Sequence, residues 1–112
     1  MKAEALKGHL DGLILAVLEG GELHGYAVKE ALRATTDGRV DLPTGTVYPA
    51  LHRLEQAGLI SGTWSTVGAR RRRTYQLTRD GRRALAGKRE DWREFTAVIG
   101  SVLEGGAWPT PA

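Results

Sequence analysis

Gly45-Thr-Val-Tyr-Pro-Ala-Leu-His-Arg-Leu-Glu-Gln-Ala-Gly-Leu-Ile60 has two faces that call for different surroundings. Val47, Leu51 and Leu54, with the small Ala50 and Ala57, recur at three- and four-residue spacing and form the apolar stripe of an α-helix. The opposite side carries Tyr48, Pro49, His52, Arg53 and Gln56, a set of donors, acceptors and stacking groups in place of the Glu/Lys mixture of an ordinary solvated helix. Such a face suits insertion into a groove. Pro43, Thr44 and Thr46 supply helix-start chemistry, and Gly58 stands where a left-handed residue ends the helix, so a strand can begin at Leu59 or Ile60. Pro49 lacks an amide proton, which costs nothing in a first turn, and this puts the expected start near Thr46.

Upstream, residues 3–19 read as one amphipathic helix, with Leu6, Leu10, Leu13, Ile14, Val17 and Leu18 on one face and Gly20-Gly21 as its stop. A second helix runs from His24 to about Thr36 and breaks at Asp37-Gly38, and Val40 to Pro43 is a short extended link. Downstream, Ile60 to Val67 and Arg72 to Thr78 alternate with period two, and Gly68-Ala69-Arg70-Arg71 can turn between them. Three short helices followed by a hairpin is the order of a winged helix-turn-helix.

With 112 residues the chain is of single-domain size and can bury a small core. It contains no cysteine, which excludes disulfides, thiolate catalysis and Cys-based zinc sites. The longest strongly apolar run, Leu13 to Leu18, is too short to cross a bilayer and lacks the flanks of a secretory signal, so the expected protein is cytoplasmic with no membrane partner. The formal charge is only +3, but from Arg70 to Arg93 ten Arg or Lys stand against Asp80, Glu90 and Asp91. A local basic field of this kind points to a polyanionic partner.

After Thr78, a candidate cap, the chain reads as helical to about Leu103, where Gly105-Gly106 ends it. Leu85, Trp92 and Ile99 are seven apart, as are Lys88, Phe95 and Val102, a coiled-coil-like seam that predicts self-association. The expected organisation is a DNA-binding domain over 1–78, a dimerisation helix over 79–104 and a flexible tail over 105–112. The expected fold class is α+β, mostly helical. Leu6, Leu10, Leu85, Trp92, Phe95, Ile99 and Val102 are the expected dimer interface. Trp92 and Phe95 are read first as packing residues, and they could also wall a ligand site.

The polar face of the third helix, taken alone, could be a mere solvated surface. The neighbouring run Arg70, Arg71, Arg72 and Arg73 changes that, because like charge on both faces of a hairpin is destabilising unless phosphates compensate it. Helix side chains reach base edges, whereas a basic hairpin follows phosphates or a minor groove. Thr44, Thr46, Tyr48, Pro49, His52, Arg53 and the four arginines are therefore the candidate DNA-binding residues. Lys29 and Arg33 read better as solvated surface. His9, His24 and His52 lack metal-ligand spacing, no glycine loop has phosphate-cradling form, and no serine has a base or elbow motif, so no cofactor, metal or catalytic role is expected.

At these residues the chain resembles the PadR family of transcriptional regulators. The matching segments are Leu10-Asp-Gly-Leu-Ile-Leu-Ala-Val-Leu18, His24-Gly-Tyr26, Gly45-Thr-Val-Tyr-Pro-Ala-Leu51, Leu54-Glu-Gln-Ala-Gly-Leu-Ile60 and Arg72-Arg-Thr-Tyr-Gln-Leu-Thr-Arg-Asp-Gly81. The resemblance implies a DNA-binding homodimer, usually a repressor, with an N-terminal winged helix and a C-terminal dimerisation helix. The short tail looks like the compact branch of the family, in some members of which the aromatic position matched by Trp92 lines a pocket between subunits. The wing departs from the family pattern at Arg71, often proline, and at Thr74, often aromatic.

The expected function is sequence-specific binding of double-stranded DNA at an approximately palindromic operator by a homodimeric repressor. Its release by a planar aromatic small molecule near the dimer interface is part of that expectation. The alternative is a winged-helix adaptor whose basic wing meets an acidic protein without specific DNA readout; a small enzyme is disfavoured by the lack of any catalytic constellation.

Overall fold

Left-handed glycines and a histidine cap divide the N-terminal half into short helices. The computed structural model describes residues 1–105. The helix expected over 3–19 is split into a 3-10 helix, Ala3–Leu6, and α1, Leu10–Leu18. Gly8, with φ +85°, interrupts it. Periodicity does not register this break, because Leu6 and Leu10 both still pack against the core. The second helix, α2, spans Gly25–Thr35, and His24 caps it by accepting the Ala27 amide on Nδ1. Asp37 and Gly38, at φ +53° and +80°, end it as expected.

The third helix, α3, spans Thr44–Gln56, two residues earlier than Thr46. Pro49 is therefore past the first turn, and the Gly45 carbonyl loses its helical donor; Gly45 is exposed, so water can satisfy it. At the other end Gly58 (φ +77°) donates to the Glu55 carbonyl and Leu59 to that of Leu54. This is the paired-bond ending in which a left-handed glycine satisfies the last carbonyls.

The wing consists of β2, Ile60–Val67, and β3, Arg70–Leu77, paired antiparallel from Ile60↔Leu77 to Val67↔Arg70. Its turn is Gly68-Ala69 alone, not the expected four residues. Gly68 has φ +64°, the glycine-first arrangement of a two-residue hairpin, so Arg70 and Arg71 lie in the strand. A short strand not expected from the sequence, β1 at Leu23–His24, pairs with Tyr75 and Thr74 and makes the sheet order β1-β3-β2. Two residues are too few for alternation to be visible; only the pairing reveals them.

The core lies where α1, α2 and α3 meet the base of this sheet: Ile14, Leu15, Leu18, Val28, Leu32, Val47, Leu51, Leu54, Ile60 and Leu77 are buried. Leu51, fully buried, is worth about 2–3 kcal/mol in transfer free energy. The last helix, α4, spans Arg79–Leu103 and is capped by Thr78, whose Oγ1 accepts the Gly81 amide and donates to the Gly58 carbonyl. A Cβ on Gly81 would lie 1.9 Å from the Leu59 oxygen, so this close crossing requires glycine.

Two expected interface residues are core residues instead. Leu6 and Leu85 are 8% and 3% exposed in the single chain, because α4 packs its first turns onto α1. Lys88, Arg89 and Trp92 still touch Gly12, Glu19 and His9, and past them the helix projects. The radius of gyration is 17.4 Å, against about 13 Å for a compact chain of this length, and the longest dimension is 74 Å. Of the tail expected at 105–112, all but Gly105 lies outside the described residues.

Candidate nucleic-acid interface

The buried stripe of α3, Val47, Ala50, Leu51 and Leu54, turns the opposite side outward. Thr44, Gly45, Pro49, His52 and Gln56 are exposed there, and Thr46 is half-buried. The two proposed readers on the rims of this face are already engaged. Tyr48 is 43% exposed, and its ring lies over Gly25 at the start of α2, where a Cβ would come within 2.5 Å of Cε1. Arg53 is paired with Asp11 of α1. A phosphate or base that recruits Arg53 therefore exchanges one partner for another, and the exposed pair it replaces is worth at most about 1 kcal/mol.

The wing is attached to α3 by an ion pair that the sequence reading did not identify. Arg73 donates through Nε and a terminal nitrogen to the two oxygens of Glu55, with both side chains about one quarter exposed. The Arg73 hydrogen bond holds the Glu55 carboxyl below the usual carboxylate range, and Glu55 in turn raises the Arg73 guanidinium, so the pair is ionised at neutral pH. Gly62 leaves the room for it: a Cβ there would stand 2.6 Å from the Arg73 Nε. Tyr75, beside them, is buried, and desolvation raises its phenol further from ionisation.

Strand alternation divides the arginines. Arg71 and Arg73 lie opposite Thr66 and Trp64, whereas Arg70 and Arg72 lie opposite Val67 and Ser65 on the other face. Arg70 and Arg71 are exposed and Arg72 is half-buried. Arg72 also disfavours charge on His24, whose pKa is lowered mainly by burial and secondarily by this neighbour. Lys29 is engaged with Asp41 at 3.2 Å and is half-buried, not the solvated side chain expected, and Arg33 is engaged with Glu30 at 3.6 Å.

A second candidate surface lies on α4. Trp92 and Phe95 stack at 5.8 Å, His9 meets the Trp92 ring edge-on at 5.6 Å, and both aromatics are 52% exposed. They border a groove of about 460 Å³ between the N-terminal segment, α1 and α4, lined also by Leu6, Leu13, Leu85 and Lys88. Further along, Val98, Ile99, Val102 and Leu103 are 57, 40, 77 and 79% exposed. Among the described residues no cluster of His, Cys, Asp or Glu could hold a metal ion, and no helix is long and apolar enough to cross a membrane.

Three helices leading into a basic, two-stranded wing, with a long helix projecting behind, define a winged-helix protein with a C-terminal helical extension. More narrowly, the chain belongs to the PadR-like family of transcriptional regulators, whose pattern matches residues 14–87. Members of this family are regulators and not enzymes. Over 61 residues, 54% of each chain, the protein is 44% identical to a transcriptional regulator of Mycobacterium tuberculosis. Its structure resembles a transcriptional regulator of Clostridium thermocellum with a TM-score of 0.83 at 29% identity, covering 90% of this chain and 99% of that one. It also resembles Bacillus subtilis PadR in complex with operator DNA, with a TM-score of 0.65 at 27% identity, covering 75% of this chain and 46% of that one.

Proposed function

We propose that this regulator binds double-stranded DNA sequence-specifically as a homodimeric repressor and is released by a small molecule. The observation that carries the reading is the Glu55–Arg73 pair, which holds an arginine-rich wing to a helix whose outward face is polar. The two elements then meet a duplex as one preset unit, so little ordering entropy opposes binding. Tyr48, His52 and Arg53 read base edges or sugar-phosphate, Thr44, Thr46 and Pro49 face the backbone at the start of α3, and Arg70, Arg71 and Arg72 neutralise phosphates.

The projecting half of α4 supports the dimer. Trp92, Phe95, Val98, Ile99, Val102 and Leu103 form an exposed apolar surface that a second copy, related by a two-fold axis, would cover. Two reading helices about one DNA turn apart then require an approximately palindromic operator. The groove at Trp92 and Phe95 supplies a flat stacking surface for a planar aromatic effector, which would act by binding two dimer states with different affinity.

Fluorescence anisotropy against DNA containing an inverted repeat from the gene's own promoter tests the central reading. Tighter binding to that duplex than to its scrambled form is expected, and equal affinity for both would overturn it. For the effector, a planar compound should shift operator affinity in wild type and not in Trp92→Leu; an equal shift in both would remove Trp92 from the site.

A further inference from the structure

Ile60, Gly62, Trp64 and Thr66 share one face of β2, with Leu77, Tyr75, Arg73 and Arg71 opposite them. At the base this face is core: Ile60, Tyr75 and Leu77 are buried. Past Gly62 it continues outward as Trp64, a residue 58% exposed and outside the core cluster. The ring is nevertheless held. The Arg71 and Arg73 guanidinium groups lie 5.0 and 5.4 Å from its centre, and Arg73 is anchored to Glu55 on α3. Two cations held against one half-open indole favour a single orientation of the ring without hiding it.

We infer that Trp64 is a DNA-contacting residue of the wing: its ring packs against the sugar edges of a groove, Arg71 takes the adjacent phosphate, and Arg73 is the strut that presents the ring. The inference rests on the reading of the chain as a DNA-binding regulator. Duplex DNA suits this surface better than an apolar peptide, because burying the ring also strips water from the Arg71 guanidinium beside it, and an anionic partner compensates that as Glu55 already does for Arg73. A duplex offers phosphates for the cations and flat sugar and base edges for the ring, which is how groove-binding proteins use large apolar side chains. Of four arginines, the one bound to Glu55 is excluded from the phosphate contacts.

The test is operator affinity as a function of salt for Trp64→Ala, Trp64→Phe, Arg71→Gln and Arg73→Gln. Trp64→Ala should weaken binding to operator and scrambled duplex alike by about tenfold, with the log–log salt slope unchanged. Trp64→Phe should recover most of the loss. Arg71→Gln should lower the slope by about one, and Arg73→Gln should weaken binding without lowering it. In parallel, bound duplex should shield from acrylamide a part of the wild-type tryptophan emission that Trp64→Phe lacks; this comparison decides the matter even if Trp64→Ala does not fold. Unchanged affinity in Trp64→Ala, a loss that appears wholly as a smaller slope, or no shielding would each overturn the contact, and a slope lowered by Arg73→Gln would overturn the strut. If wild type binds no duplex, the DNA-binding reading falls and this inference with it; if wild type binds and Trp64 is silent, only the inference falls.

Discussion

Helices α3 and α4 both place one side against the core and one side in water, yet the sides they leave outside are opposite in character. On α3 the buried stripe is complete and the exposed side is Thr44, Pro49, His52, Arg53 and Gln56. On α4 the described core contact ends at Leu85, and the apolar residues that continue the same seven-residue series, Trp92 to Val102, remain exposed. The first surface is stable in water and gains from a polar, charged partner. The second is costly in water and gains from an apolar one. Under the proposed function this division would put DNA reading and assembly on separate helices, joined through the packing of α1 between them.

The sharpest way to break this contrast is to give α4 the chemistry of α3. Ile99→Asp would place an unpaired charge in the apolar seam and should convert dimers to monomers, with a loss of operator affinity on the order of a hundredfold or more as the two half-sites no longer bind together. Sedimentation at micromolar concentration checks it: a monomeric wild type, or a dimeric Ile99→Asp of full affinity, would remove assembly from this surface.

A smaller effect tests the polar face of α3. Arg53→Ala and Tyr48→Phe should leave thermal unfolding nearly unchanged but cost about 1–3 kcal/mol of operator binding each, if each makes one good base contact. Asp11→Asn frees Arg53 from its present partner and should strengthen binding slightly, by less than about 1 kcal/mol, since the pair it removes is solvent-exposed. Unaltered discrimination between operator and scrambled DNA in both Arg53→Ala and Tyr48→Phe would show that another part of the helix reads sequence.

The smallest expected effect concerns His24, which caps α2 beside the Gly25 on which Tyr48 rests. Burial, and then Arg72, lower its pKa in the folded state, so the unfolded chain takes up the proton first. Its contribution to stability is complete above the unfolded value of about 6.5 and is lost as pH falls below that toward the folded value. Protonation also removes the lone pair that accepts the Ala27 amide. The melting temperature should therefore decline between about pH 7 and 5, and His24→Asn, which caps without titrating, should flatten that part of the curve. An identical decline in His24→Asn would assign the pH dependence elsewhere.

Much of this was legible in the chain. The stripe of α3, the Gly58 stop, the alternation of the wing strands and the cap at Thr78 are local patterns, each set by periodicity or by one residue's backbone freedom, and they sufficed for a winged helix and for the PadR family. The seam on α4 was equally legible as a pattern. Its division at Leu85 was not, because a heptad position looks the same whether its own α1 or a second copy covers it. The break at Gly8 and the two-residue strand at Leu23–His24 were likewise invisible, since one leaves the apolar phase intact and the other is too short to have a phase.

The candidate site separates along the same line. Residue type and spacing determined by themselves that α3 has a polar outer face and that the wing is strongly basic, because both are properties of a helix or strand considered alone. Only the tertiary structure decided which of those charges are free: Arg73 is held by Glu55, 18 residues away in the chain, Arg53 by Asp11, 42 away, and the Arg71 and Arg73 guanidinium groups both lie against the Trp64 ring. Pairing between distant side chains depends on how separate elements pack, and no periodicity within one element records it.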